Sequence, residues 1–499
     1  MVDHNFAAKF EHFIAKRNLY RQFLALLLFI AFILLLLNSV NTIYRLYSNF
    51  FILSNSIGED GKVFFAKKFQ QGQLPFANGE HPPYYPSFHG VLTHVSVGMI
   101  GRFFKCSTQD LYYVGRFISV LGLLLSLLLV FKILSELDVK PLFMFAAVVL
   151  LMAPGAMHAL ATSYRPDYWI NAIYLLIYYL VCHKKSAKYE VLTIVLIVVA
   201  YLIKPTGIIF LGAFLLVLLF RQHWRKVLGY SLLFVVVLGA TVFAMQHYSG
   251  GMFLSSFAHG MNVPFSLRNA LKFFVKHTLL YLTLLPVFAV FSLRSEKMLY
   301  LLVFWSVSLA GAVLTSMRSG VGLNYYLSTF YFTVIIIAYW FKDIDFRNLS
   351  QEAFPFIGFF LLWLIITMIL PTYGIFKHTP HSAVATTLKF GKERQKIAQW
   401  INSEGFICFS DDAGLNLLLS KPQILYPILL NQFIKSRSLS KEHFLEPIKK
   451  QKYDFVVLTS WRTQHIDDIP DYFFAELEKY YVRTNLEFKT SYIVLKRKP

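Results

Sequence analysis

Glu59 and Asp60 stand side by side in "SIGEDGKVFFAKKF", and a second acid with a base next to it, Glu80 and His81, follows in "NGEHPPYYP". Farther along, "YRPDYW" supplies Arg165 and Asp167, "LIKPTG" supplies Lys204, and "RSGVGLN" supplies Arg318. A positioned carboxylate takes a proton from an attacking hydroxyl, while Lys, Arg and His hold phosphoryl oxygens through charge-assisted hydrogen bonds. Displacement at a carbon that carries a phosphate needs both kinds of group. Lys204 is the most pointed of these residues, because it is a cation at the junction of two apolar segments and needs an anionic partner there; a phosphate would serve.

The elements that must position these residues are membrane helices. Of the 499 residues 56% are hydrophobic and only 15% charged, with 48 Lys and Arg against 27 Asp and Glu. The mean hydropathy is +0.53. Such a composition does not close into one soluble core, so lipid must solvate most of the chain. The net charge of +21 does not indicate a nucleic-acid partner. Its cations sit in short clusters between apolar runs, as cytoplasmic loops and anionic lipid require. Cys106, Cys182 and Cys408 are scattered without ligand spacing and read as packing residues.

A basic leader precedes the first apolar run, which is too long for a cleaved signal peptide and lacks a small-residue cleavage site. Apolar runs fall at 19–40, 111–131, 141–159, 168–182, 190–203, 206–220, 229–246, 277–293, 298–316, 324–341 and 353–371, about eleven spans of helical length. Alternate loops are basic: Lys132 and Lys140; Lys184, Lys185 and Lys188; Arg221, Arg225 and Lys226; Arg294 and Lys297; Lys342 and Arg347. The positive-inside rule then puts the N-terminus in the cytoplasm, and an odd number of spans leaves the tail outside. The expected architecture is a polytopic α-helical membrane domain, 1–371, with a first outward loop over 41–110. A small extracytoplasmic α/β domain, 372–499, follows. Its strands are expected at "FICFSD", "DFVVLT" and "SYIVLKRK", with helices at "GKERQKIAQWINSEG" and "SKEHFLEPIKKQ". Gly61 to Gln71 and Tyr85 to Phe104 read as helices along the membrane surface, parted by the "NGEHPP" turn.

The order "GEDGKVFFAKKF", "GQLPF", "EHPPYYP", "YRPD", "KPTG", "GLNYYL" resembles the GT-C superfamily of integral-membrane glycosyltransferases, most nearly the branch with protein O-mannosyltransferases and aminoarabinose transferases. The resemblance covers about residues 20–370. It implies inverting transfer of a monosaccharide from a polyprenyl-phosphate donor to a cell-envelope glycan, lipid or protein on the outer side of the bacterial inner membrane. Glu59 and Asp60 fall where that family keeps its catalytic carboxylate. The acids stand in the reverse of the usual order, and Asp60 is taken as the base. Asp167 matches the second-loop acid, and Lys204 matches a lysine that meets the lipid phosphate. Glu80 and His81 match the residues before a proline pair, near the donor phosphate or a divalent cation, while Asn324 and Tyr325 match a cavity-lining corner. Arg165 and His81 join Lys204 as phosphate ligands. Tyr84, Tyr85 and Arg318 complete the cavity.

Two other classes compete. A transporter of lipid-linked sugar places ionisable groups at mid-span and shows related halves, whereas the polar residues here gather at one membrane face. A polysaccharide polymerase or ligase is expected to carry its large loop late in the chain, and here it is the first loop. "DID" at 343–345 reads as a solvated cytoplasmic turn, Asp411 and Asp412 as the end of a strand, and His247, His259 and His277 as interfacial residues.

Overall fold

The computed structural model describes residues 25–41, 57–74, 76, 90–152, 163–184, 186–255, 265–281, 295–317, 323–342, 380–423, 440–459, 471–484 and 492–499, with positions 22 and 43. Glu80, His81, Tyr84, Tyr85 and Arg318 lie outside these residues, as do the "DID" turn and the run at 353–371. Along the first part of the chain come α1 (Ala25–Asn41), α2 (Ile57–Gln70), α3 (Val91–Phe103), α4 (Thr108–Glu136), α5 (Pro141–Met152) and α6 (Asp167–Tyr179), the last extended by a π turn at Leu180–Lys184. Then follow α7 (Ala187–Ile203), a 3-10 turn at Pro205–Ile208, α8 (Ile209–Phe220), α9 (Trp224–Tyr248), α10 (Leu267–Tyr281), α11 (Glu296–Ser316), a 3-10 turn at Leu323–Tyr326 and α12 (Leu327–Phe341).

Among the described helices α4, α9 and α11 are long and apolar enough to cross a membrane, and α1, α3, α5 and the Pro205–Phe220 unit are shorter apolar helices. This is a membrane protein. The described residues support apolar helices at most of the expected spans but do not fix the count at eleven. The helices pack through a continuous apolar core drawn from α4 to α8 with α11 and α12, in which Tyr174, Phe214, Phe304 and Phe332 are buried. By contrast α9 turns Leu228, Leu232, Val235 and Phe243 outward. An apolar face of that kind is stable against lipid.

Sequence signals explain how α4 is set. Ser107 and Asp110 form a reciprocal capping box, the Asp110 amide donating to Ser107 Oγ (3.2 Å) and the Ser107 amide to Asp110 Oδ2 (2.8 Å). One turn further, Gly115 leaves room for the Tyr164 ring; a Cβ there would sit 2.3 Å from Tyr164 Cγ. That close approach brings the segment before α6 against the start of α4.

The two ends of this bundle differ in charge. At one end Lys297 donates to the Glu136 carbonyl (3.1 Å), Lys342 to the Leu137 carbonyl (3.2 Å) and Arg221 to the Val181 carbonyl (3.0 Å), while Lys226 pairs with Glu190 (3.0 Å). The first three cations satisfy carbonyls at helix C-terminal ends, as a helix dipole favours. At the other end, ~30 Å away along α4 from Glu136 to Arg116, lie Arg116, Asp167 and Lys204.

The remaining elements are α13 (Pro380–Ser403), β1 (Cys408–Ser410), α14 (Ala413–Leu418), α15 (Lys441–Lys449), β2 (Phe455–Thr459), α16 (Asp471–Tyr480), β3 (Tyr481–Arg483) and β4 (Tyr492–Arg497). Strands form at the three places read from the sequence, and β3 is an addition. The sheet order is β1-β2-β4-β3. β1 and β2 run parallel with Phe409 opposite Val456, whereas β4 pairs antiparallel with both β2 and β3. One face of this sheet does not close on its own residues. Phe65 of α2 enters a core with Phe409, Leu445, Val456, Phe473 and Leu477, and Leu417 of α14 joins Val63, Ala66, Leu111, Tyr112 and Tyr164.

The helix that carries Glu59 and Asp60 is thus clamped between α3, α4 and the C-terminal sheet domain. Phe65→Ala removes a ring that is 1% exposed, at a cost of about 3–5 kcal/mol. The expected outcome is a lower melting temperature in detergent and faster proteolysis of the C-terminal domain, measured beside a surface control such as Leu228→Ala.

Candidate active site

The geometry begins at a buried ion pair. Glu59 accepts from Arg116 Nε and Nη2, both at 2.8 Å, and from the Tyr164 amide at 2.7 Å. Neither side chain of the pair has any exposure. Two buried charges cost several kcal/mol of desolvation, offset only when geometry and extra hydrogen bonds are good. The fork of Arg116 and the third bond from the Tyr164 amide meet that condition. Glu59 therefore holds α2, α4 and the 163–166 segment in register.

That segment continues into Arg165 and Asp167. The Arg165 amide donates to Ser119 Oγ, whose hydroxyl returns a bond to the Arg165 carbonyl, both at 2.9 Å. Asp167 starts α6, where a helix N-terminus favours a carboxylate. Its Oδ1 accepts from Lys204 Nζ (2.6 Å) and from Asn324 Nδ2 (2.8 Å). Lys204 stands at the C-cap of α7, in extended conformation before Pro205, and its ammonium lies 3.9 Å from the centre of the Tyr325 ring. Burial raises the Asp167 carboxyl, but the charges of Lys204 and Arg165 outweigh it and hold it below the usual range.

A cavity opens beside this constellation. Asp167, Lys204, Asn324 and Tyr325 form its polar rim, with Thr206, Ser308, Thr315 and Ser328 below, and Ile170, Ile209, Phe210 and Leu327 supply apolar walls. Small residues at Gly311 and Ala312 keep it open on the α11 side. The arrangement suits an anionic head over an apolar chain.

Four of the candidate residues lie together: Asp167, Lys204, Asn324 and Tyr325. Arg165 lies within their electrostatic reach. Lys62 adds a cation that the motif reading passed over. It is 2% exposed, and burial, with the charges of Arg165 and Lys204, brings its ammonium down to about 7 against the pull of Asp167 and Glu59. His94, beside it on α3, is brought down to about 3, first by burial and then by the Lys62 charge, so its imidazole is neutral. Lys62 was legible in principle. It follows Glu59 by three positions, which places both on one helix face.

Asp60 occupies a different flank of α2. At about 100° per residue it stands some 200° round the helix from Lys62. It accepts a hydrogen bond from Tyr112 (2.5 Å) and is 2% exposed. Asp412, read as the end of a strand, is the N-cap of α14: it accepts from the Gly414 amide (2.9 Å), from Arg394 at 2.9 and 3.0 Å, and from the Tyr492 hydroxyl (2.5 Å). Among the described residues no three His, Cys, Asp or Glu side chains gather at metal-binding distance. The pair expected to hold a divalent cation, Glu80 and His81, lies outside them.

No family model matches the sequence, and no curated protein matches it either. Solved structures do. ArnT from Cupriavidus metallidurans in the apo state superposes with a TM-score of 0.57 at 11% identity, over 92% of this chain and 97% of that one. The same protein bound to undecaprenyl phosphate gives 0.54 at 13% identity, over 95% and 97%. The chain shares its overall fold with these ArnT structures.

The Glu59–Arg116 pair yields a stability test. Arg116→Met leaves a carboxylate buried without its partner and is expected to cost about 3–5 kcal/mol, whereas Glu59→Gln with Arg116→Met recovers much of that loss. Thermal melts of the two variants in detergent check the order.

Proposed function

We propose that the chain is an inverting membrane glycosyltransferase that moves a monosaccharide from a polyprenyl-phosphate donor to a cell-envelope glycan, lipid or protein. The observation that carries this reading is a buried cation at an apolar cavity: Lys204, paired with Asp167 and set against the Tyr325 ring, lines it with Ile170, Ile209 and Leu327. Lys62 and Arg165 lie within electrostatic reach of that pair. Cations gathered at an apolar cavity suit an anion with an apolar tail. A polyprenyl phosphate is such a ligand, and the fold neighbour whose bound ligand is undecaprenyl phosphate supports the choice.

The acceptor hydroxyl attacks the anomeric carbon, the bond from that carbon to the phosphate oxygen breaks, and the phosphate leaves with one more negative charge. Lys204, oriented by Asp167 and Tyr325, meets that charge together with Arg165 and Lys62. Because the leaving group departs already ionised, no separate acid is required. The acceptor's proton goes to Asp60, on the flank of α2 opposite Lys62. Inversion needs that separation, because the base and the leaving group act on opposite sides of one carbon. Asn324 and Tyr325 line the cavity, with Tyr84, Tyr85, Arg318, Glu80 and His81 as further contributors. A divalent cation at Glu80 and His81 would add charge at the phosphate.

The positive-inside rule assigns the end with Lys132, Lys226, Lys297 and Lys342 to the cytoplasm. The site and the C-terminal domain, 372–499, then face outward, with the N-terminus inside and the protein multi-pass in the inner membrane.

Asp60→Asn is expected to lower transfer by about 10²–10⁴-fold while undecaprenyl phosphate still binds. Lys204→Met weakens that binding instead. Mass analysis of envelope glycans and lipids from cells with and without the gene reads the first, and equilibrium binding of the labelled lipid reads the second. An unchanged glycan profile in the Asp60→Asn strain removes Asp60 from the mechanism. Lys62 gives a pH signature as well. Its ammonium is charged below about pH 7 and neutral above, so anion affinity falls as pH rises through that value. Lys62→Met flattens this dependence, and the ratio of wild-type to variant affinity cancels the titration of the lipid phosphate itself.

A further inference from the structure

The backbone around Lys204 is held from both directions along the chain, and part of that hold comes from a distant helix. The Lys204 amide donates to the Ala200 carbonyl and the Lys204 carbonyl accepts from the Gly207 amide, both at 2.8 Å. Pro205 follows and keeps Lys204 extended, at φ −155° and ψ 126°. The Ile203 carbonyl is one of the terminal carbonyls of α7, which have no partner within their own helix. Two donors at the start of α3 reach it instead, the Gly90 amide at 3.0 Å and Thr93 Oγ1 at 2.9 Å. That approach requires glycine, since a Cβ at position 90 would sit 1.8 Å from the Leu202 carbonyl oxygen. Thr93 is 6% exposed, and its own carbonyl accepts from the Tyr164 hydroxyl. Because the Tyr164 amide binds Glu59, Thr93 joins the Glu59–Arg116 assembly to the peptide unit that carries Lys204.

We infer that Thr93 is a positioning residue for the donor phosphate: its hydroxyl, with the Gly90 amide, fixes the Ile203–Lys204 peptide so that the Lys204 ammonium stays between Asp167 and the Tyr325 ring. This rests on the reading of Lys204 as a phosphate ligand. The Ile203 carbonyl and the Lys204 amide belong to one planar unit. Rotation of that plane turns the Cα–Cβ bond of Lys204, and the long side chain magnifies the turn at Nζ. The contact to Asp167 Oδ1 is 2.6 Å and that to the centre of the Tyr325 ring 3.9 Å. A displacement of about 1 Å takes the first beyond hydrogen-bond range. Among the described residues Thr93 does not line the cavity, so its effect on a bound lipid passes through Lys204.

The test is equilibrium binding of two labelled lipids, undecaprenyl phosphate and undecaprenol, to the full-length protein in detergent. The ratio of the two affinities reads the phosphate alone, whereas damage to the cavity weakens both lipids together. Thr93→Val keeps the shape of the side chain and removes the hydroxyl. It is expected to lower the ratio about 3–10-fold, with undecaprenol bound as by wild type. The pair Thr93→Ser and Thr93→Ala isolates the same hydroxyl without the γ-methyl group: serine is expected to keep the ratio near wild type and alanine to lower it as valine does. This second pair decides the matter if Thr93→Val fails to fold. A ratio unchanged on loss of the hydroxyl, or equal weakening of both lipids, overturns the inference. Lys204→Met tests the underlying reading by itself. Loss of the phosphate preference in Lys204→Met but not in Thr93→Val leaves Lys204 as the ligand and removes Thr93, whereas a preference kept in Lys204→Met removes both.

Discussion

The architecture of the site depends on one buried contact, the fork between Glu59 and Arg116 completed by the Tyr164 amide. Each partner comes from a different segment, so the contact fixes the relative placement of α2, α4 and the turn before α6. A buried pair of this kind is weak evidence for stability in itself, because desolvation consumes most of the Coulomb gain. What it does provide is register. Once Tyr164 is held by its backbone, Arg165 and Asp167 follow at fixed positions, and Asp167 in turn sets Lys204 and Asn324. One interaction therefore transmits order from the first helix after the anchor to the corner before α12.

The second feature is the gathering of charge around Asp167. Among the described residues, Lys62, Arg165 and Lys204 all lie within its electrostatic reach, and two of these cations are tempered. Lys204 is shared between Asp167 and the Tyr325 ring. Lys62 is brought down to about 7, so that near neutral pH it is part charged and part neutral. An incoming anion would restore its proton, which couples binding to protonation. This is preorganisation by placement of charge, with little need for side chains to move.

Some of this was legible in the sequence, and the physical reason is locality. Asp167, Lys204, Asn324 and Tyr325 each sit in a short motif at a span end, where an ionisable or polar residue stands out against apolar surroundings. Arg116 was there to be read as well, a charge inside the apolar run 111–131, and such residues pair or function as a rule. Its partner was not legible, because no spacing links it to Glu59 across a loop of more than fifty residues. The choice between Glu59 and Asp60 likewise turned on which partner each meets, Arg116 for Glu59 and Tyr112 for Asp60, one turn apart on α4. Strands at 408–410, 455–459 and 492–497 followed from β-branched and aromatic runs. That their domain would take Phe65 into its core could not follow, since burial across more than three hundred residues leaves no local trace.

That last contact explains why an apparently detachable domain is bound to the site. α2 has 14 residues, two acids in its first turn and two lysines in its last, an arrangement that suits the helix dipole. Yet a helix of that length is marginal in water by itself. Much of α2 rests on α3 and α4, with Tyr112 meeting Asp60 and His94 lying against Phe65. The C-terminal sheet completes the cover, with Phe65 in one apolar cluster and Leu417 in another. Removing that cover would expose a ring, free the Lys67 end of α2 and let the first turn fray at the point where the Glu59–Arg116 pair must hold. α2 thus belongs energetically to both the helical bundle and the C-terminal sheet, and the groups it carries are ordered by contacts from both.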